Sequence, residues 1–180
     1  MKVLAVLGSP HESGPSSILA REVLRGAQQQ GHEVKIYEIN KMNVLGCQGC
    51  GACKQQSIDC VVDDGLRAYW KDLHECGALV VSAPNYSSQV CGPMITYMNR
   101  HYCLLDQDWK VRLHEGVKLV GIFAQGQADK EKYKAYYDWY MADFQNRAMD
   151  LQGVLIHSRG DGLEPEDELM QKAYALGRGL

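Results

Sequence analysis

The apolar positions of this chain fall into two kinds of stretch, short continuous runs and longer segments that repeat with a helical period. A continuous apolar run of strand length is typical of a parallel strand that is buried on both faces. Four such runs and one alternating segment predict five strands, at residues 3–7, 33–39, 78–82, 117–124 and 154–157.

Segments of helical period lie between these strands and predict helices. The first helix is expected to begin at Pro15, which suits a first turn, and to end near Gln30, before Gly31. The other helices are predicted from Asp63 or Asp64 through Leu73, over 92–105, over 129–151, and from Glu164 or Pro165 to near Gly177. Residues 41–62 have no helical period, so we predict a long loop there.

Alternation of strands and helices indicates a parallel sheet with helices on both faces, because the crossovers are right-handed. Five strands in 180 residues fit a flavodoxin-like α/β fold, with a five-stranded parallel sheet in the order 2-1-3-4-5. No repeat, low-complexity tract or linker interrupts the pattern, so residues 1–180 are expected to form a single domain.

Ligands in sheets of this kind bind outside the carboxyl ends of the strands, at the point where the strand order reverses. Four polar or cysteine-rich loops follow strands, at residues 8–17, 40–62, 83–91 and 124–128. These loops are therefore expected to converge on one edge of the sheet.

Composition narrows the class of partner. The net charge is −3 and no basic tract occurs, which argues against nucleic acid and anionic membranes as partners. No apolar run approaches the roughly 20 residues that span a bilayer. The short apolar N-terminus leads directly into a turn without a cleavage-like site, so a cytoplasmic protein is expected. Seven cysteines, an odd number, favour metal ligation or reduced thiols over disulfides.

The loop at residues 8–17 has the features of an anion site. It follows the first strand and leads into a helix, whose free N–H groups and partial positive charge suit a phosphate. The candidate donors are Ser9, His11, Ser13, Ser16 and Ser17. The loop lacks both the G-x-G-x-x-G spacing and the Walker ending, which favours a mononucleotide such as FMN over a dinucleotide or ATP. An ordinary capped turn is the alternative.

The second candidate site is a cysteine loop. Cys47, Cys50 and Cys53 follow the spacing C-x2-C-x2-C, and six residues separate Cys53 from Cys60. This spacing is expected for a [4Fe–4S] cluster, and neighbouring glycines permit the tight turns. A zinc site and a loop that holds no metal are the alternatives. The remaining cysteines are expected to be core residues: Cys76, Cys91 and Cys103. The remaining histidines are expected to be surface or capped residues: His32, His74, His101, His114 and His157.

Three motifs together resemble the NADPH-dependent FMN reductase family, and within it the iron–sulfur flavoproteins. They are G-S-P-x-x-x-G-x-S, C-x2-C-x2-C-x6-C-V-V-D-D and A-P-N-Y-S-S-Q-V-C-G-P-M-I-T-Y-M-N-R, within residues 1 to about 125. The resemblance implies that the first loop binds the FMN phosphate and that two later loops flank the flavin ring. The ring-flanking residues would be Pro84, Asn85, Tyr86, Ser87, Ser88, Ala124, Gln125 and Gly126. The chain departs from the family at His11, where an arginine is usual, and at Asn99-Arg100, where Asp-Arg is common.

The resemblance implies an oxidoreductase that passes electrons from NAD(P)H, or from a reduced ferredoxin-like partner, to an acceptor. The flavin supplies the chemistry, so no side chain is assigned as a catalytic acid or base. A homodimer or homotetramer is expected, with the 41–62 loop, Tyr136 and Trp139 at the subunit contact. A non-catalytic zinc-loop binding protein and a flavodoxin-type electron carrier are the alternative classes.

Overall fold

A computed structural model describes all residues, 1–180, and shows a parallel sheet between two layers of helices. The strands are β1 (Lys2–Leu7), β2 (Glu33–Glu38), β3 (Ala78–Tyr86), β4 (Gln89–Val90), β5 (Val117–Ala124) and β6 (Met149–His157). The helices are α1 (Pro15–Gln29), α2 (Ala52–Gln56), α3 (Arg67–Glu75), α4 (Gly92–Arg100), α5 (Lys134–Gln145) and α6 (Glu168–Arg178). No helix is long and apolar enough to cross a membrane.

The sheet has the predicted topology. Its parallel strands run in the order β2-β1-β3-β5-β6, which is the predicted order 2-1-3-4-5. A sixth, two-residue strand, β4, pairs antiparallel with the end of β3, Asn85 opposite Val90 and Tyr86 opposite Gln89. The prediction of a loop over residues 83–91 is therefore wrong in part. Pro84 and Asn85 interrupt the apolar run, yet the strand continues through them and turns back at Ser87 and Ser88, which both have positive φ.

Two further element predictions need correction. The 41–62 loop contains helix α2, whose five residues are too few to show a helical period in the sequence. The helix predicted to Leu151 ends at Gln145, and β6 begins at Met149, because Ala148 adopts a left-handed turn with φ of 61°. The apolar side chains of Met149 and Leu151 continue the helical pattern by coincidence.

The two faces of the sheet carry separate hydrophobic cores. Helices α1 and α6 cover one face, and α3, α4 and α5 cover the other with a cluster of aromatic side chains. Tyr137, Tyr140 and Phe144 are fully buried there, as their spacing predicts, whereas Trp139 is 58 % exposed. The side chain of Trp139 is therefore accessible, and the subunit contact expected there stays a prediction.

His101, like the buried His157, is a correction to the expectation that the remaining histidines are surface or capped residues. It is fully buried, its ring stacks on Tyr69 at 5.8 Å, and its Nε2 lies 3.0 Å from the Tyr69 hydroxyl. Burial and the charge of Arg147 lower the pKa of His101 to about 3, so the ring is neutral. Nothing in the sequence around His101 predicts that this histidine is buried among aromatic side chains.

Helices α1 and α6 approach each other through glycines. A Cβ atom at Gly177 would overlap the carbonyl oxygen of Val23 and lie 3.0 Å from the amide nitrogen of Ala27. A Cβ atom at Gly26 would likewise overlap the carbonyl oxygen of Tyr174. The two helix backbones are therefore in direct contact, and neither glycine can carry a side chain without moving a helix.

We expect Gly177→Ala to lower the free energy of unfolding by about 1–3 kcal/mol, because the added methyl group overpacks a backbone contact. Urea unfolding of the purified protein measures the change. Gly179→Ala is the matched control at the end of the same helix, where the nearest atom to a new Cβ is 3.5 Å away. Equal stability of the two variants would contradict the close approach of α1 and α6.

Candidate functional site

A cavity of about 360 Å³ lies at the carboxyl edge of the sheet, where the strand order reverses. It is lined by the loop after β1, the start of α1, the ends of β3 and β5, and the segment that follows β6. Its volume is in the range of small-molecule and cofactor sites. Three of the four loops that the sequence places at this edge thus meet in one cavity.

The first loop supplies hydroxyls and an uncapped helix end. Ser9, His11 and Ser16 line the cavity together with Gly14 and Pro15 of the α1 N-terminus. Gly14 is the N-cap of α1, and no side chain caps this helix, which opposes the alternative of an ordinary capped turn. The free N–H groups of the first turn are available to an anion.

Two of the predicted serines do not reach the cavity. Ser17 is buried, and its hydroxyl donates to the carbonyl oxygen of His11 at 2.9 Å. Ser13 is exposed to solvent and is not among the residues that line the cavity. Ser17 therefore stabilises the loop, and Ser13 has no role in the cavity wall.

The second and third loops form the opposite wall. Pro84, Asn85 and Tyr86 line the cavity at the end of β3, and Ala124, Gln125 and Gly126 line it after β5. Tyr86 is 47 % exposed, so its ring borders the mouth of the cavity. The predicted residues Ser87 and Ser88 lie in the β3–β4 turn and not in the wall, because the strand continues further than expected.

Sequence reasoning missed two residues of the cavity wall, His157 and Arg159. His157 is the last residue of β6 and Arg159 lies two residues further on, so the position of that strand's end at the same edge is the signal that could have identified them. Arg159 is the only permanently charged side chain among the residues that line the cavity, and none of those residues is acidic. The buried atoms His157 Nδ1 and Ser158 Oγ have no hydrogen-bond partner. A cationic, donor-rich wall of this kind suits a phosphate-bearing ligand, and the donor set therefore fits FMN.

The four cysteines of the second candidate site do not converge. Cys47 and Cys50 are exposed, Cys53 is buried and Cys60 is half-buried. Nowhere in the structure are three or more His, Cys, Asp or Glu side chains placed to hold a metal ion. Residues 46–51 form no helix or strand, and Gly49 and Gly51 adopt positive φ, so the exposed half of the loop is not folded around a centre.

A buried arginine anchors both ends of the cysteine loop. Arg100, the last residue of α4, is fully buried and donates from Nη1 to the carbonyl oxygen of Leu45 at 2.7 Å and to Asp64 Oδ2 at 2.5 Å. Its Nε lies 3.3 Å from the sulfur of Cys60. Burial opposes ionisation of Asp64, but the bonds from Arg100 and from the Leu45 and Leu66 amides outweigh it and lower the pKa of Asp64.

Cys60 differs from the core thiols in the direction of its hydrogen bond. The thiols of Cys76 and Cys91 donate to the carbonyl oxygens of Leu73 and Gly8, whereas the sulfur of Cys60 accepts from a guanidinium. Burial raises the pKa of Cys76 and of Cys103 to about 12. The three thiols predicted to be core residues are buried, and among the cysteines only the sulfur of Cys60 accepts a hydrogen bond from a cationic side chain.

The fold and the cavity define a flavodoxin-like protein with a mononucleotide-sized site at the point where the strand order reverses. The model of the NADPH-dependent FMN reductase family matches residues 1–130, so the chain belongs to that family. It is an FMN-dependent oxidoreductase that uses NAD(P)H.

The chain is also similar to two archaeal relatives and shares its fold with a solved structure. An iron-sulfur flavoprotein of Methanosarcina thermophila is 22 % identical over 139 residues, 77 % of this chain and 72 % of the relative. An iron-sulfur flavoprotein of Archaeoglobus fulgidus is 29 % identical over 100 residues, 56 % of this chain, and the match spans less than half of that relative, 45 %. The crystal structure of an azoreductase from Bacillus anthracis str. Sterne superposes over 100 % of both chains with a TM-score of 0.76 at 12 % identity, which shows the shared fold.

We expect Arg100→Met to lower the free energy of unfolding by about 3–5 kcal/mol at neutral pH, because Asp64 is left as a buried, unpaired charge. Arg67→Met is the control, since Arg67 pairs with Asp63 at 3.2 Å on the exposed surface and should cost less than about 1 kcal/mol. Urea unfolding measures both changes.

The difference in unfolding free energy between wild type and Arg100→Met should depend on pH. Arg100 lowers the folded-state pKa of Asp64, so its stabilisation is present above the ordinary aspartate pKa of about 3.9 and is lost as pH falls through the lowered value. The difference between wild type and Arg100→Met should therefore shrink at acid pH. A difference that stays constant would contradict the assigned ion pair.

Proposed function

We propose that FMN binds in the cavity at the carboxyl edge of the sheet, with its phosphate at the α1 N-terminus beside Ser9, His11 and Ser16. The ring would lie between residues 84–86 and residues 124–126. The observation that carries this proposal is the convergence of an uncapped helix end and two strand-end loops on one cavity without acidic residues. Arg159 would supply the guanidinium that the family usually has at the position of His11.

Bound FMN would supply the redox chemistry, since a flavin accepts a hydride from a nicotinamide nucleotide and passes electrons on singly or in pairs. The residues of the chain would bind the phosphate, orient the ring and restrict access of water. Tyr86 borders the mouth of the cavity, so we infer that the nicotinamide and then a small electron acceptor approach the ring there. Quinones and azo compounds are the acceptor class we propose, and the structural likeness to an azoreductase supports it.

A second proposal concerns the cysteine loop. We infer that Cys47, Cys50, Cys53 and Cys60 can hold a [4Fe–4S] cluster, which would exchange electrons with a ferredoxin-like partner. Two observations support it, the names of the archaeal relatives and the N–H group that Arg100 directs at the sulfur of Cys60. The present arrangement of the four thiols does not itself fit a metal centre, so a cluster requires the loop to rearrange around it.

We expect the double variant Ser9→Ala/Ser16→Ala to weaken FMN binding about tenfold or more, because two hydroxyl donors are removed from the phosphate site. Titration of the flavin-free protein with FMN, followed by quenching of flavin fluorescence, measures the dissociation constant. Ser13→Ala is the matched control, since Ser13 belongs to the same loop but does not line the cavity. An unchanged affinity in the double variant would assign the loop to a structural role only.

Anaerobic reconstitution with iron and sulfide should load about four irons per chain if the cysteine loop holds a cluster. We expect Cys60→Ser to reduce iron and sulfide content sharply while FMN content stays at the wild-type level. Cys103→Ser is the control, because Cys103 is a buried thiol outside the C-x2-C-x2-C-x6-C motif. A wild-type protein that takes up zinc but no iron would support the zinc-loop alternative instead.

A further inference from the structure

The wall of the cavity contains a hydrogen-bond network that joins two of its loops. Tyr137 of α5 is fully buried, and its hydroxyl lies 3.1 Å from Nδ2 of Asn85 and 3.0 Å from Oε1 of Gln125. Nε2 of Gln125 lies 2.6 Å from the backbone carbonyl oxygen of Asp129. Both amide side chains line the cavity, one after β3 and the other after β5, whereas Tyr137 lies behind them.

The direction of every bond in this network follows from its last member. A carbonyl oxygen can only accept, so Gln125 donates Nε2 to Asp129 and turns Oε1 toward Tyr137. Since Oε1 can only accept, the Tyr137 hydroxyl donates its single proton there. The hydroxyl oxygen then accepts from Asn85, whose Nδ2 must face it. A reversed Asn85 amide would place two acceptors against each other.

The core holds the tyrosine in place and keeps its proton on. The Tyr137 ring stacks on Phe123 of β5 with a centroid distance of 4.2 Å and an interplanar angle of 3°. Burial raises the pKa of Tyr137 to about 12, so the hydroxyl stays protonated throughout the range around neutral pH. The network therefore does not reverse with pH in that range.

We propose that Tyr137 is a positioning residue for the flavin, because it turns the Asn85 amide so that Oδ1 is left as the free acceptor on the cavity wall. This inference rests on the proposed binding of FMN. An oxidised isoalloxazine ring has a single N–H group, that of the imide, and a reduced ring has more, so an acceptor on the wall matches the ring in both states. An amide that is free to turn would present its NH2 group part of the time, donor against donor wherever it faces the imide.

The consequence is measurable in FMN affinity. Tyr137→Phe removes the hydroxyl but keeps the stacked ring, so we expect the variant to fold and to bind FMN about fivefold to tenfold more weakly. Tyr140→Phe is the matched control. It removes another fully buried hydroxyl of α5, which donates to the carbonyl oxygen of Met94 at 2.9 Å, and neither Tyr140 nor Met94 lines the cavity. The Tyr140→Phe variant should bind FMN within twofold of wild type even if its melting temperature falls as far as that of Tyr137→Phe.

A double-mutant cycle tests whether Tyr137 acts through Asn85. FMN titrations are made on wild type, Tyr137→Phe, Asn85→Ala and the double variant, and melting temperatures are recorded for all four. If the amide transmits the effect, Tyr137→Phe changes the affinity of the Asn85→Ala protein by less than twofold. A general loss of structure would instead weaken binding by the same factor in both backgrounds.

The possible failures are distinguishable. A wild-type protein that binds no FMN overturns the proposed function and this inference with it. A wild-type protein that binds FMN, together with a Tyr137→Phe variant of equal affinity, overturns the role of Tyr137 alone. Additive losses in the double variant also overturn it, because they show that Tyr137 does not act through Asn85.

Discussion

Burial of the central strands on both faces is the constraint on which the rest of this structure depends. The side chains of β1 from Val3 to Leu7, of β3 from Ala78 to Val81 and of β5 from Leu119 to Phe123 are apolar and buried. Such strands have no room for chemistry along their length, because an unpartnered polar group there would lose its hydration without compensation. Functional side chains can therefore stand only where the strands end, and the cavity is found at that edge.

The same constraint explains the two buried polar arrangements behind the edge. Asp64 and Arg100 bury their charges completely, and they do so with a set of bonds that also holds Leu45 and Cys60 at the two ends of the cysteine loop. Tyr137 buries its hydroxyl and satisfies it with an amide from each of two cavity loops. Each group has several partners because a buried, half-satisfied group is costly. Loops without regular structure are fixed in this way by groups on rigid helices.

The sequence predicts those features of the structure that a periodic or local pattern of residues encodes. The apolar run of β1, the proline that opens α1 and the alternation of strands and helices are periodic or local signals, and they yield the strand order and the edge at which the site lies. The extension of β3 through Pro84, the early start of β6 and the burial of His101 depend on tertiary contacts and were missed. Arg159 was missed for another reason, since it lies outside the recognised motifs and only the end of β6 brings it to the cavity.

The two candidate sites differ in how much of each is formed by the fold itself. The cavity is built from strand ends and a helix N-terminus, which the hydrophobic core holds in place without help from a ligand. The cysteine loop is anchored at Leu45, Cys60 and Asp64, but residues 46–51 between these anchors form no helix or strand. A thiolate centre in such a segment must rearrange the chain as it forms, at a cost in conformational entropy, so metal binding and local folding are coupled there. This difference separates a site that the sheet topology imposes from one that depends on its ligand.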